Sequence, residues 1–192
     1  VDEGQIGDIQ VIRGHGKADH RSGGLDLMVL GTHILDSMRF FAEAEVAWAS
    51  GHVTQDGAEI SLDDVRDGDE QVGLTAGNGV AAYYAFKNGI TAHYESYRGN
   101  IENVSSSKWF GFELYGTEGI ISLRNSPSGE LFIYPKGLWI PNDSEWCRVI
   151  IEDWDNSPDG TPRTPQEHMW LSNRMIVQEL IRALETGSEI VN

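Results

Sequence analysis

A chain of 192 residues with 40% hydrophobic content is long enough to bury a core of its own, as one domain or at most two. Its 30 acidic residues against 14 basic ones give a net charge of -16, which argues against nucleic acid and anionic membranes, since both demand lysine and arginine. The single cysteine, Cys147, excludes an intrachain disulfide and a cysteine-rich zinc site.

A reducing, cytoplasmic setting is the default for such a chain, although one cysteine is also compatible with export. No apolar run approaches the roughly 20 residues of a membrane helix, and no signal peptide is evident. The chain starts at Val1 without an initiator methionine and reads as a piece of a longer protein.

Residues Ile9 to Ile12 form a short β-branched strand that runs into a polar loop, Gly14 to Ser22, with the sequence GHGKADHRS. Gly14-His15-Gly16 after a strand invites a dinucleotide-binding reading. Asp19 stands where the third glycine belongs, however, and would repel a pyrophosphate, so the motif fails. Lys17, His20 and Arg21 are candidates for holding an anionic or hydroxyl-rich substrate, against the plainer reading of a solvated loop.

A helix is expected from the Gly23-Gly24 pair to about Glu43, carrying His33 among aliphatic neighbours. At about 100° per residue, Asp26, Val29, His33 and Asp36 fall on one stripe of it. Asp26 then lies about 10 Å from His33 along the axis, too far for a hydrogen bond but near enough to touch the same bound polyol. His33 is either a proton-handling group facing a cleft or a half-buried histidine bonded to a backbone carbonyl. Asp36 and Arg39 are spaced to pair on the helix surface, a structural role.

A strand follows from Val46 to Val53, then an acidic excursion from Thr54 to Gln71. Its DDVRDGDE order does not match a calcium loop, which leaves a solvated surface segment. Asn88-Gly89 between Val80–Phe86 and Ile90–Arg98 is a strong hairpin signal. Taken as a two-residue turn, it pairs Phe86 with Thr91, Tyr84 with His93, Ala82 with Glu95 and Val80 with Tyr97. His93 and Glu95 share a strand face as ligand pairs do, but spacing names no third ligand, so no metal is expected.

A second hairpin is expected from Gly111–Tyr115 and Gly119–Leu123 around Thr117-Glu118, then a strand at Glu130–Tyr134. The irregular stretch Pro135 to Pro165 carries Trp139, Trp146 and Trp154, which either close over a ligand or cover the sheet edge. Asn103-Val104-Ser105 and Asn142-Asp143-Ser144 are glycosylation sequons by letter only. Thr164-Pro165-Gln166-Glu167 is a capping box opening a last helix that runs to about Thr186 and stops at Gly187, with Met169, Ile176, Leu180 and Leu184 as its apolar stripe. The two strong hairpins point to an α+β fold: one domain with a large, mostly antiparallel open sheet and its helices packed on one face.

The run GG-x5-L-G-T-H-x2-D-x2-R-F-F resembles the signature helix of the C-terminal domain of the Gfo/Idh/MocA oxidoreductases. GQIGDIQVIRG before it and VAAYYAFKNGITAHYESYRG and FELYGTEGIISL after it stand in the family's order, so the likeness covers nearly the whole chain. It implies a substrate-binding and oligomerisation domain over residues 1–192, its N-terminal nucleotide-binding (Rossmann) domain lying outside this chain. The implied parent is an NAD- or NADP-dependent oxidoreductase acting on a sugar, polyol or related small molecule. The fragment by itself would bind no cofactor and be inactive. The likeness also implies a homo-oligomer formed through the exposed sheet face.

Within that resemblance His33 is the catalytic candidate, and Asp26, Lys17, His20 and Arg21 are substrate-binding candidates. Most family members carry a carboxylate four residues before the histidine, where it orients the imidazole. Here that position is Val29. A non-catalytic ligand-binding or oligomerisation module, from a member that has lost dehydrogenase activity, is therefore the alternative.

Overall fold

The computed structural model describes residues 4–98, 110–124, 129–137 and 146–190. Trp139 and both sequons lie outside them. The chain divides into two compact units, Val1–Val149 and Ile150–Asn192.

In the first unit, β1 (Ile9–His15) leads into helices α1 (Gly24–Val29) and α2 (Gly31–Ala42). There follow β2 (Val46–Gln55), β3 (Ala58–Glu59), the small ladder of β4 (Arg66–Asp67) with β5 (Leu74–Thr75), β6 (Gly79–Phe86) and β7 (Thr91–Tyr97). Next come β8 (Gly111–Gly116), β9 (Ile120–Arg124), β10 (Glu130–Tyr134) and β11 (Cys147–Val149). A nine-stranded sheet runs in the order β11-β10-β9-β8-β1-β7-β6-β2-β3. Its described pairings are antiparallel except that between β1 and β7. This is the open, mostly antiparallel sheet that the hairpin signals predict.

Helices α1 and α2 lie on one face of this sheet. Ile34 and Met38 of α2 are buried with Ile12 of β1, Ala92 and Tyr94 of β7 and Leu114 of β8. Gly14 makes that approach possible, because a Cβ there would lie 2.3 Å from both Ile34 Cγ2 and Met38 Cε. The strand thus reaches His15, and Gly14 belongs to the sheet rather than to the predicted loop.

Three further expectations are corrected. The histidine helix is two helices, broken at Leu30, where Gly31 presses its backbone against Tyr94. A Cβ on Gly31 would lie 2.5 Å from the Tyr94 hydroxyl. The β6–β7 register is shifted by one residue: Ala85 faces Thr91, Tyr83 faces His93 and Ala81 faces Glu95. The turn is a three-residue loop, Lys87-Asn88-Gly89, closed by Phe86 N–H to Ile90 O (2.9 Å) and Gly89 N–H to Phe86 O (3.1 Å). Gly89 takes φ 94°, the left-handed residue such a loop requires. Finally, Arg39 pairs with Glu45 (3.1 Å) rather than with Asp36.

The second hairpin turns at Thr117-Glu118 as expected, with Tyr115 opposite Ile120. Trp146 packs on Tyr134 of β10 at 5.6 Å between ring centroids, which favours the sheet-covering reading of that tryptophan. In the second unit, α3 (Glu152–Asp155) precedes α4 (Pro165–Thr186). The Thr164/Glu167 capping box, Pro165 at the first turn and left-handed Gly187 bound α4 as the sequence predicts. Trp154 stacks on the buried His168 at 4.8 Å. No helix among the described residues is long and apolar enough to cross a membrane.

Candidate functional site

Lys17, His20 and Arg21 lie between the end of β1 and α1, Asp26 lies in α1, and His33 stands further on, in α2. Gly16 N–H donates to Glu95 O (2.7 Å), holding the start of the loop against β7. Gly23, at φ 73°, and Gly24 then dock against the segment before β6. A Cβ on Gly23 would lie 2.5 Å from Asn78 C, and one on Gly24 2.3 Å from Ala76 O. This close approach of two backbones is what the glycine pair is for.

Asp26 lies beneath that junction with no exposed surface. Its Oδ2 accepts a hydrogen bond from the Tyr94 hydroxyl (2.8 Å), and the Ser96 hydroxyl and the Lys17 backbone N–H also face the carboxylate. Ser96 Oγ accepts from Gly23 N–H (3.0 Å) and donates to Lys17 O (3.5 Å), so one strand residue ties both ends of the loop. Gly16 has no room for a side chain: its Cβ would meet Asp26 Oδ2 at 1.9 Å. Burial raises the Asp26 carboxyl above the ordinary carboxylate range, and the Tyr94 hydrogen bond only partly opposes it. Burial, reinforced by the neighbouring Asp26 charge, pushes the Tyr94 phenol up as well, so it stays a donor.

The loop's cations are placed unequally. The Lys17 ammonium lies over the Phe110 ring at 5.6 Å, and His20 is exposed. Arg21 is engaged, with Asp19 at 2.6 Å and Glu70 of the acidic excursion at 3.5 Å. Burial alone would raise the Asp19 carboxyl, but hydrogen bonds from Arg21 and its charge outweigh that and hold the group low.

His33 stands in the first turn of α2, its N–H bonded to Leu30 O (3.1 Å), and its side chain is exposed. The reading of a half-buried histidine bonded to backbone does not describe it. The break at Leu30 also separates it from Asp26: the acid points into the core and the imidazole outward, so the single stripe predicted for the two does not form. A hollow of about 390 Å³ flanks α2, lined by Thr32, Leu35, Asp36, Arg39, Tyr84 and Phe86 among others. His33 is not part of that lining. Among the described residues, no three His, Cys, Asp or Glu side chains come together as a metal site.

The opposite sheet face is exposed at His93, Glu95 and Trp48, whereas Tyr115, Ile120 and Tyr134 form a buried cluster on it with Val11 and Trp146. Arg13 lies over the Tyr115 ring (4.7 Å), Tyr115 donates to Glu113 (2.7 Å), and Trp48, Tyr83 and His93 form a chain of ring contacts at 5.2 and 5.0 Å. Sequence reasoning missed Tyr94, Ser96 and Glu70 as partners of the loop. The alternation Ala92, Tyr94, Ser96 placed the first two on an inward face, but nothing local joined them to residues some 70 positions earlier.

No family model matches the chain, and no curated protein does. Solved structures do. An oxidoreductase from Sinorhizobium meliloti is similar at a TM-score of 0.62 and 16% identity, over 99% of this chain and 50% of that one. An oxidoreductase from Agrobacterium radiobacter, solved with NAD+, L-tartaric acid and magnesium, gives 0.60 and 17%, over 98% and 50%. UDP-N-acetylglucosamine 3-dehydrogenase from Acidithiobacillus ferrooxidans gives 0.58 and 14%, over 98% and 49%. The chain therefore spans about half the length of the oxidoreductases it resembles, and shares with that half its fold.

Proposed function

We propose that this chain is the substrate-binding half of an NAD(P)-dependent oxidoreductase of the Gfo/Idh/MocA type, acting on a sugar or polyol. One observation carries the reading: an exposed imidazole in the first turn of α2, on a fold shared with half of several oxidoreductases. The nicotinamide, held by the Rossmann domain of the parent, would supply the hydride chemistry. His33 takes or returns the proton of the reacting hydroxyl, and Lys17 and His20 bind neighbouring hydroxyls. Asp26 and Arg21 serve from behind, the first by seating the loop and the second by pinning it to Glu70. The open sheet face, rich in rings and paired charges, is the surface through which copies associate.

The full-length parent, assayed for hydride transfer across a panel of sugars and polyols, tests this. His33→Ala is expected to lower kcat by about 10²–10⁴ while leaving NAD(P) affinity unchanged. Unaltered turnover sinks the assignment of His33. The isolated chain is expected neither to bind NAD nor to turn over.

Val29 favours a second reading, a ligand-binding or oligomerisation module without dehydrogenase activity. No carboxylate stands four residues before His33 to orient the imidazole, and the nearby acid is buried against Tyr94. A parent inactive on every substrate, yet binding one of them, would select it.

A further inference from the structure

The last rung shared by β2, β6 and β7 sets Thr54 beside Gly79 and Gly79 beside Tyr97. One step back, Val53, Val80 and Ser96 turn toward the helices: Val80 is in the core, and Ser96 Oγ accepts from Gly23 N–H. Side chains alternate along a strand, so Thr54 and Tyr97 point to the other face, away from α2 and His33. Gly79 between them carries no side chain, and a Cβ there would lie 2.6 Å from Thr54 Oγ1 and 3.0 Å from Tyr97 Cδ1. The Tyr97 ring therefore leans across bare backbone and is half exposed. A hollow of about 470 Å³ opens here, with Thr54, Asp56, Asn78, Tyr97 and Arg98 in its wall.

Local geometry fixes Asp56 in that wall. Gln55 faces Ala58 across the Asp56-Gly57 turn, and both turn residues take positive φ, 52° and 84°. This is the two-residue hairpin turn that favours Asp-Gly. It brings Asp56 onto Asn78: Asp56 N–H donates to Asn78 Oδ1 (2.9 Å), and Asn78 Nδ2 donates to Asp56 Oδ1 (2.6 Å). Gln55 Nε2 donates to Asp56 Oδ2 (3.1 Å). The bonds from Gln55 and Asn78, with the Arg98 charge nearby, hold the carboxyl below the ordinary carboxylate range. Each oxygen still has a lone pair to offer, so this carboxylate is an acceptor set in place before any ligand arrives.

We propose that the hollow binds a neutral pyranose sugar, one ring face on Tyr97 and its hydroxyls shared between Asp56 and Arg98. A pyranose carries C–H groups on a ring face and hydroxyls around its rim, which matches an aromatic platform bordered by an acceptor and a donor. Other ligands meet a mismatch. An anion is opposed by Asp56 and by a net charge of -16. A metal ion finds one carboxylate, each oxygen of which already accepts an N–H. A wholly apolar ligand would strip water from two charges and replace none of it. The hollow shares no lining residue with His33 and does not depend on the chain being part of an enzyme.

The whole chain, isotope-labelled for NMR, is titrated with the methyl pyranosides of glucose, galactose and mannose to tens of millimolar. The backbone amide signals of Gly57, Asn78 and Gly79 are expected to shift with at least one of them. Asp56→Gly keeps the left-handed turn and removes the carboxylate, and Tyr97→Ala removes the platform. Each is expected to weaken that binding by about tenfold or more with the circular dichroism unchanged, and Asp56→Gly decides alone if Tyr97→Ala loses its fold. His33→Ala is expected to leave the binding as it was, which separates this site from the one on α2. The inference is overturned if no pyranoside shifts those signals, if inorganic phosphate or alanine shifts them and sugars do not, or if binding survives both Asp56→Gly and Tyr97→Ala.

Discussion

At the scale of single residues, Asp26 is a buried carboxyl whose chemistry its surroundings alter. Its raised carboxyl pKa means that ionisation costs stability, because the folded chain binds a proton more tightly than the unfolded one. Stability is therefore full below the unfolded carboxylate pKa, near 3.9, and falls as pH rises from there toward the folded value. Asp26→Asn keeps an acceptor for Tyr94 and removes that dependence, so its melting temperature at neutral pH should equal or exceed that of the parent. Asp26→Ala leaves a buried hydroxyl unpartnered and should cost about 1–3 kcal/mol. Thermal melts of both variants from about pH 4 to pH 8 decide it, and an unchanged pH dependence in Asp26→Asn would refute the account. That His33 lies on a helix was legible from the apolar periodicity around it. The burial of Asp26 was not, because it depends on Tyr94, 68 positions away.

At the scale of elements, the β6–β7 hairpin separates what local pattern fixes from what it leaves open. Asn88-Gly89 located the turn, yet a two-residue and a three-residue loop share that dipeptide and differ by one step in register. The observed loop is also held from outside, since the Asn88 side-chain amide donates to Ala42 O (2.8 Å) at the end of α2. A Cβ on Gly89 would meet no atom within 4 Å, so substitution there costs only backbone strain. Gly89→Ala is expected to lower stability by about 1–2 kcal/mol, read from the urea midpoint at constant slope. No loss would mean that the loop does not hold Gly89 in the left-handed region. The break at Leu30 likewise escaped the sequence, because apolar periodicity runs through it and Tyr94, against which Gly31 lies, comes from another strand. The capping box of α4 was legible in full, being local chemistry throughout.

At the scale of the whole molecule, the excess of carboxylates is a standing repulsion. Thirty acidic residues against fourteen basic ones oppose the compact state, and salt screens them over about 8–10 Å at ionic strengths of 0.1–0.15 M. Raising sodium chloride from about 20 mM to about 300 mM is therefore expected to raise the melting temperature. A fall would place the weight on attractive ion pairs such as Arg21–Asp19 instead. The fold class was legible because hairpins announce antiparallel sheets and two marked helices are too few for alternating βαβ units. Strand order was not: it is set by which edges meet in space.

The position of β1 has a consequence for how the chain comes into being. Val11 is flanked by Thr91 on one side and Tyr115 on the other, so the earliest of the described strands sits between two that follow it much later in the chain. Neither neighbour exists until most of the first unit has been made. Through that interval the strand carries two open edges, and closing the parallel β1–β7 ladder joins residues 80 positions apart. Local hairpins form without such a wait, so the entropy of closing β1 against β7 and β8, 80 and 104 positions away, is a toll that this topology sets on the speed of folding.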